Sequence, residues 1–441
     1  MNSREIVVKI LNEVLINKAY SNIALDSNLK KYDLNSKDIG LITEVVYGTV
    51  RYKYTIDFIL NKFIKKGTKS VDPTVLNILR SAIYQIRYLQ RIPDFAVVNE
   101  AVNLSKKYVS PKVSKFVNGV LRNYLRNKDF EDSSASLEDK LAFRYSFPKW
   151  MVKMFLKQYG KETSEKIFNG LNEIPDVTVR VNNIKITYDE VISDLENLGY
   201  TFKEGVICPE ALRILKGKSI EKNPLFKDGL VTVQDESAML VATIMDLKKH
   251  MKVLDLCSAP GGKTTHIAEI MENTGEVLAF DIHEHKLKLI QDNASRLGLI
   301  NIKCDLLDAT KYKEELNEIA DRVLIDVPCS GLGIIRKKPE IKWNKNINEL
   351  KELIQIQRNI MLTASRYVKP GGMLIYSTCT LNKEENEKNI DWFIKNNSNF
   401  KMEKIYFGKV DNIIYNDNET LTVIPNEGMD GFFMAKIKKQ W

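Results

Sequence analysis

From about residue 250 onward, short apolar runs alternate with amphipathic stretches, and this alternation restricts the fold more than any other feature. The runs are KVLDLC, EVLAFDI, RVLIDV and GMLIYST, and helical patterns such as HKLKLIQDNASRLG lie between them. Apolar runs too short for helices, separated by helix-length segments, read as strands of a parallel sheet with crossover helices. GFFMAKIKK near the end reads as a closing strand. In such a sheet, ligands sit beyond the carboxyl ends of the strands. The polar residues at each of those ends therefore carry the functional information.

The first 130 residues follow a different rule. Asp72-Pro73 is an N-cap followed by proline at the first helical position, and Val75, Leu76, Leu79, Ile83 and Ile86 recur at helical spacing. Ser110-Pro111 repeats the start signal ahead of Val113, Phe116, Val117, Val120 and Leu121. Strand signals are scarce, so a helical bundle is expected over 1–130. The polar stretch DFEDSSASLED, Asp129 to Asp139, reads as a linker. Residues 140–235 are mixed: SFPKW, then TVRVNN, then a helical run ending in ENLGY. Three domains are expected: 1–130, a connecting α+β region over 140–235, and an α/β domain over 236–441.

Charge separates these parts. Residues 1–130 hold 22 Lys+Arg against 11 Asp+Glu, while the remainder holds 44 against 46. The basic excess lies at the front, where it would attract a polyanion, although a solvated helical surface gives the same count. The five cysteines, Cys208, Cys257, Cys304, Cys329 and Cys379, are odd in number and show no CxxC spacing. That argues against a disulfide framework or a zinc site and for a reducing cytosol. No stretch approaches the ~18 apolar residues of a membrane span, and the start MNSREIVVKI has no leader pattern.

The first strand end reads Asp255-Leu-Cys257-Ser258-Ala259-Pro260-Gly261-Gly262-Lys263-Thr264. Gly261 and Gly262 lack a Cβ and let backbone approach a ligand, with the next helix pointing its N-terminal amides into the same space. A tight strand-to-helix turn is the plainer reading. Gly262-Lys263-Thr264 matches the end of a P-loop, but that motif needs a glycine where Cys257 stands. A GxGxxG dinucleotide fingerprint is absent. The second end carries Asp281, 26 residues after Asp255, placed to accept from ribose hydroxyls. The third holds Asp308 in CDLLDAT, placed to accept from an adenine amino group, with Asp305 the competing candidate. Together these ends suggest an adenosine-containing ligand.

The fourth end is Asp326-Val-Pro328-Cys329-Ser-Gly, and the fifth is Tyr376-Ser-Thr-Cys379-Thr. Cys208, Cys257 and Cys304 read as small buried apolar residues. Cys329 and Cys379 lie in polar loops on the ligand side. A thiolate adding to carbon 6 of cytosine makes carbon 5 nucleophilic enough to take a methyl group, after which the carbon 5 proton must leave. That chemistry needs a thiolate, a group facing N3 and a group assisting release. Cys379, Asp326 and Cys329 can supply them, with Asp326 expected to act protonated or to share a proton with the base. Lys263 would favour the thiolate electrostatically or anchor its own loop.

These residues resemble a known family. VTVQDESAML, LDLCSAPGGKTTH, AFDI, DVPCSGLGIIRKKPEIKW, GGMLIYSTCTLNKEEN and GFFMAKI are similar to the RsmB (Fmu, Sun) type of ribosomal RNA cytosine-C5 methyltransferase, in the wider NOL1/NOP2/Sun family. AIYQIRYLQRIPDFAVVNEAVNLSKK and KFVNGVLRNYL resemble the NusB antiterminator fold. SFPKW and Val179-Arg180-Val181-Asn182 resemble the family's connecting region. The resemblance implies an all-α NusB-like RNA-binding domain, an RNA-binding connecting region and a Rossmann-like class I methyltransferase domain. It implies S-adenosylmethionine held by Cys257 to Lys263, Asp281, Asp308 and Asp326. Cys379 matches the family's nucleophile, and Cys329 the cysteine assisting release. The implied substrate is 16S ribosomal RNA at the cytosine-967 type site. A cytoplasmic monomer acting on small-subunit RNA, without metal or membrane, is expected. The third strand end departs from the pattern, lacking the glycine many relatives have before the Asp.

Two alternatives compete. DNA cytosine methyltransferases take their nucleophile from Pro-Cys and carry Glu-Asn-Val, which is absent here while Thr-Cys is present. A non-catalytic NusB-like RNA-binding scaffold is the other, and intact Cys379, Cys329 and Asp326 speak against it.

Overall fold

The computed structural model describes residues 2–128 and 136–441, which divide into two compact units. One unit takes residues up to 172 together with 335–344, and the other takes 173–334 with 345–441.

The first unit is all-helical. Its helices are α1 (Ser3–Leu15), α2 (Ser21–Leu29), α3 (Ser36–Arg51), α4 (Lys53–Phe63), α5 (Pro73–Tyr88), α6 (Asp94–Tyr108), α7 (Pro111–Arg126), α8 (Leu137–Tyr145) and α9 (Lys149–Asn172), the last broken at Gly160. Helix α5 starts where its sequence dictates: the Asp72 side chain accepts from the amides of Thr74 and Val75, and Pro73 fills the first position, where no amide partner is needed. Ser110 also stands at an N-cap, but its side chain makes no capping bond. Ile6, Ile10, Val45, Ile78, Leu79, Val117 and Leu121 are fully buried in one core, each contributing about 1.5–3 kcal/mol. Part of the Asp129–Asp139 linker reading falls outside the described residues. Its end is helical: Ser136 caps α8 by accepting from the Asp139 amide.

The second unit begins with an antiparallel four-stranded sheet. It comprises β1 (Val177–Val181), α10 (Tyr188–Asn197), β2 (Thr201–Glu204), β3 (Ala211–Lys216), α11 (Pro224–Lys227) and β4 (Val231–Val233), in strand order β2-β3-β1-β4. Then come α12 (Glu236–Thr243), β5 (Lys252–Asp255), α13 (Gly262–Ile270), β6 (Glu276–Asp281), α14 (Glu284–Leu297), β7 (Ile302–Leu306) and β8 (Ala320–Asp326). After Ile334 the chain contributes 335–344, with α15 (Ile341–Asn344), to the helical unit. It returns as α16 (Ile347–Tyr367), β9 (Val368–Thr378), α17 (Glu387–Asn396), β10 (Phe400–Glu403), β11 (Ile413–Tyr415), β12 (Leu421–Val423) and β13 (Phe432–Lys439). The large sheet runs β11-β12-β13-β9-β8-β5-β6-β7, with β10 on β13. Strands β7, β6, β5, β8 and β9 are parallel, whereas β13 joins β9 antiparallel, Phe433 facing Thr378. The strand order reverses between β5 and β8, so the loops after Asp255 and Asp326 diverge and open a crevice.

The 335–344 segment is built into the helical unit by specific contacts. Tyr20 offers α2 no side-chain cap, and Glu340 supplies one instead, accepting from the Ser21 amide (3.1 Å) and hydroxyl (2.6 Å). Lys342 is fully buried and donates to the carbonyls of Arg51 and Ser146 and to Asn172 Oδ1, with its ammonium 3.7 Å from the Phe147 ring centre. Burial, and then the charge of Arg51, push its pKa well below the usual lysine range. Trp343 donates its indole N–H to the Val50 carbonyl at 2.8 Å.

Candidate functional site

The loop after β5 is held from both sides. The Ser258 amide and hydroxyl both donate to the Phe280 carbonyl at the end of β6 (2.9 and 2.6 Å). Gly261 has φ +102°, a conformation side chains rarely adopt, and its amide donates to the Ser258 carbonyl at 2.7 Å. Gly262 starts α13, and nothing in the protein comes closer than 3.9 Å to where its Cβ would be. Beneath the loop, Asp255 is buried and accepts from Thr264 Oγ1 at 2.7 Å. Burial outweighs that bond and raises its pKa to about 7.

A cavity of about 260 Å³ opens beside this loop, lined by Cys257 and Ala259, by Asp281, Ile282, His283 and Lys286, by Leu307 to Thr310, and by Asp326, Pro328, Ile356 and Ile360. Asp281 accepts from the amides of His283 (2.9 Å) and Ala259 (3.3 Å). Asp308 accepts from the Thr310 amide and hydroxyl, bonds that hold its carboxyl below the usual range. Asp305 does not line the cavity and faces Lys313 at 3.8 Å. Three carboxylates and an apolar wall thus face one space. This donor set suits a cationic ligand with hydroxyl and amino groups to donate and a flat ring to bury. Ser258, Pro260, Gly261, Gly262 and Lys263 shape the loop without lining that cavity.

Lys263 turns to the other side. Its ammonium donates to Asp326 Oδ2 at 2.7 Å and lies 5.1 Å from the Phe432 ring centre. Burial lowers the Lys263 pKa, but Asp326 overrides it, with Cys379 adding to the same field, so the net shift is upward. Ser377 Oγ donates to Asp326 Oδ1 at 2.7 Å. Both carboxylate oxygens therefore accept; of the two roles expected for Asp326, acting protonated or sharing a proton with the base, a proton shared along the Lys263 bond fits the second.

Cys329 and Cys379 face each other at 3.4 Å between sulfurs. The hydrogen bond with Cys379 and then burial push the Cys329 thiol well above its usual range, and the charges of Cys379, Glu385 and Asp326 act in the same direction. Of the other cysteines, Cys208 is buried, Cys304 is partly exposed, and Cys257 borders the ligand cavity.

The residue after each cysteine fixes this pairing. Ser330 Oγ and Thr380 Oγ1 lie 2.7 Å apart. Buried Glu385 accepts from the Ser330 amide (2.9 Å) and hydroxyl (2.5 Å), from Asn382 and from Gln357. Gln357 also donates to the Pro328 carbonyl. Gly333 closes the loop: its amide donates to the Cys379 carbonyl, and a Cβ there would stand 1.9 Å from the Gly431 oxygen. Ser330, Ser377, Thr380, Gln357 and Glu385 escaped the sequence reading, since none sits in an apolar period or a charge pattern.

Behind the loop, fully buried Arg180 of β1 donates through Nε and Nη2 to Glu269 of α13, both at 2.8 Å, and through Nη1 to the Gly262 carbonyl at 3.0 Å. Thr265 and Gln234 complete its shell. The connecting sheet thereby fixes the helix on which the ligand loop ends.

Among the described residues no helix is long and apolar enough to cross a membrane, and no group of three or more His, Cys, Asp and Glu could hold a metal.

Comparison with known proteins gives consistent matches along the chain. Residues 242–438 match the family described as 16S rRNA methyltransferase RsmB/F, residues 1–126 the NusB family, and residues 147–221 the RsmF/B-like ferredoxin-like domain. A Bacillus subtilis (strain 168) protein named probable ribosomal RNA small subunit methyltransferase B is 40% identical over 446 residues, covering 99% of this chain and 98% of its own. The solved structure of PH0851 superposes with a TM-score of 0.84 at 28% identity, covering 100% and 99%. That of NSun6 from Pyrococcus horikoshii with SFG gives 0.60 at 25% identity, covering 67% and 99%.

Proposed function

Because the chain belongs to the ribosomal RNA small subunit methyltransferase B family, we propose that it methylates carbon 5 of a cytosine in 16S ribosomal RNA, at the cytosine-967 type site. It is an S-adenosylmethionine-dependent enzyme with a NusB-like helical domain and a Rossmann-like methyltransferase domain. When bound, the cofactor supplies an electrophilic methyl on a sulfonium. Asp281 would take its ribose hydroxyls and Asp308 its adenine amino group. Asp326, on the border between the cavity and the cysteines, would face both the cofactor and the base.

The observation that carries this reading is the 3.4 Å approach of Cys329 and Cys379 beside the Lys263–Asp326 pair. Cys379, in the Thr-Cys motif, stands where the family carries its nucleophile. Its thiolate adds to carbon 6 of the cytosine, forming a carbon–sulfur bond and driving the ring electrons toward N3 and carbon 5. Lys263, through Asp326, provides the proton that N3 takes up. Carbon 5 then receives the methyl group. With the Cys379 sulfur now bonded to carbon, its hydrogen bond and its charge no longer hold the proton on Cys329. The Cys329 thiol becomes more acidic at this stage and gives its proton to solvent, and its thiolate then takes the carbon 5 proton. The ring electrons return, the carbon–sulfur bond breaks, N3 returns its proton through Asp326 to Lys263, and Cys379 leaves as thiolate. The products are 5-methylcytosine, S-adenosylhomocysteine and one proton. Two thiols this close must stay reduced, which suits a cytosolic place of work.

Bisulfite mapping of 16S RNA from cells with and without the gene tests the reading. A single cytosine protected only when the gene is present is expected. An unchanged pattern would remove carbon 5 methylation of this RNA.

A further inference from the structure

Helices α6 and α7 are joined by two residues, and an open groove of about 980 Å³ lies along them. Val98, Val102 and Leu125 contribute its apolar surface. Phe95 borders it with 77% of its surface exposed, an unusual cost for an aromatic ring in water. Three cations border it too: Lys106 from α6, and Lys115 and Arg122 from one side of α7. None of the three pairs with an acid among the described residues. Helix α7, PKVSKFVNGVLRNYLR, carries no acidic residue at all, and the one acid on the groove, Asp94, is paired with Lys128. Unpaired cations beside an exposed ring form the combination that holds a nucleic acid strand, with phosphates on the cations and a base on the ring. An A-form duplex keeps its bases stacked and gives the ring nothing to stack on. An apolar protein helix would leave the three charges without partners.

We propose that this groove holds an unpaired segment of the ribosomal RNA substrate, its phosphates on Lys106, Lys115 and Arg122 and one base on Phe95. The proposal rests on the reading that the substrate is ribosomal RNA, and it adds the surface that grips it.

The test uses the full-length protein and a dye-labelled, unstructured 20-nucleotide RNA, followed by fluorescence anisotropy over a salt series. Lys115→Ala/Arg122→Ala is expected to weaken binding about tenfold or more at ~0.15 M salt, and to flatten the slope of log affinity against log salt by roughly 1.4, about 0.7 per lost phosphate contact. Phe95→Ala is expected to weaken binding by about tenfold with the slope unchanged. Lys31→Ala/Lys37→Ala, outside the groove, serves as the charge-matched control. Wild-type affinity and slope in both groove variants, or an equal loss in the control, would overturn the proposal. So would unchanged RNA binding together with lost association with assembled small subunits, which would assign the groove to a protein. Methyl transfer by the wild-type protein to the 16S transcript is measured in parallel. Its absence counts against the proposed reaction, whereas groove variants that bind normally alongside active wild type count against the groove alone.

Discussion

Ser330 and Thr380, each the residue following one of the two paired cysteines, share a 2.7 Å hydrogen bond. Glu385 anchors that bond from beneath, accepting from Ser330 twice. A polar staple thus ties together the residues that follow the two sulfurs. Glu385→Ala would leave the buried Ser330 amide, Asn382 and Gln357 short of an acceptor, a loss of about 3 kcal/mol in unfolding stability by urea titration. Glu385→Gln keeps the shape but removes the charge that helps hold the proton on Cys329. In that variant, with Cys379 replaced by Ser, Cys329 should react faster with iodoacetamide at pH 8 than in the Cys379→Ser parent. An equal rate would detach Glu385 from the cysteine pair.

The two sulfurs should fail in different ways. Cys379→Ala is expected to abolish methyl transfer while S-adenosylmethionine binding stays within a few-fold. Cys329→Ala is expected to accumulate a protein–RNA adduct that survives denaturing electrophoresis, because release is blocked after methyl transfer. Adduct in Cys379→Ala and none in Cys329→Ala would reverse the roles.

The carboxylates around the cavity give a graded expectation for cofactor binding by calorimetry. Asp281→Ala and Asp308→Ala each remove an acceptor on the cavity wall and should raise the Kd for S-adenosylmethionine about tenfold, the scale of one hydrogen bond to a charged group. Asp305→Ala, off the cavity, should leave it unchanged. A weaker cofactor in Asp305→Ala than in Asp308→Ala would exchange them.

Asp255 makes stability depend on pH. Its folded pKa, about 7, lies above the usual 3.8, so between these values the folded state holds a proton that the unfolded state has lost. Stability from this group is full below about pH 3.8, falls as pH rises, and is gone above about 7. Asp255→Asn has no proton to lose and can still accept from Thr264. Relative to wild type, its urea midpoint should move upward between pH 4.5 and pH 8, by a few kcal/mol in free energy. Parallel pH profiles for the two proteins would contradict this.

Much of the architecture was legible because it rests on short-range signals. Asp72-Pro73 starts a helix by local hydrogen bonding, and apolar runs such as RVLIDV are strands wherever they are buried on both faces. The acidic residues closing those runs could be gathered because the topology of a parallel sheet brings strand ends together. Three things were illegible for one reason, namely that they depend on partners distant in sequence. Arg180 reads as a strand residue until Glu269 meets it. Glu385 reads as one charge in a polar run, yet it is buried against Ser330. Asp326 reads as one strand-end carboxylate until Lys263 and Ser377 meet it. The linker reading of Ser136 to Asp139 failed differently: Ser and Asp three positions apart suit a helix start as well as a loop.

The return of residues 335–344 to the helical unit limits how this chain can be taken apart. A fragment ending at Asn172 would lose Glu340 from the start of α2, Lys342 from its three acceptors and Trp343 from Val50. A fragment beginning at Glu173 would expose that same decapeptide with nothing to cover it. No single cut yields two intact modules. An exchange of front halves between two such chains must therefore carry a matching version of this distant peptide as well.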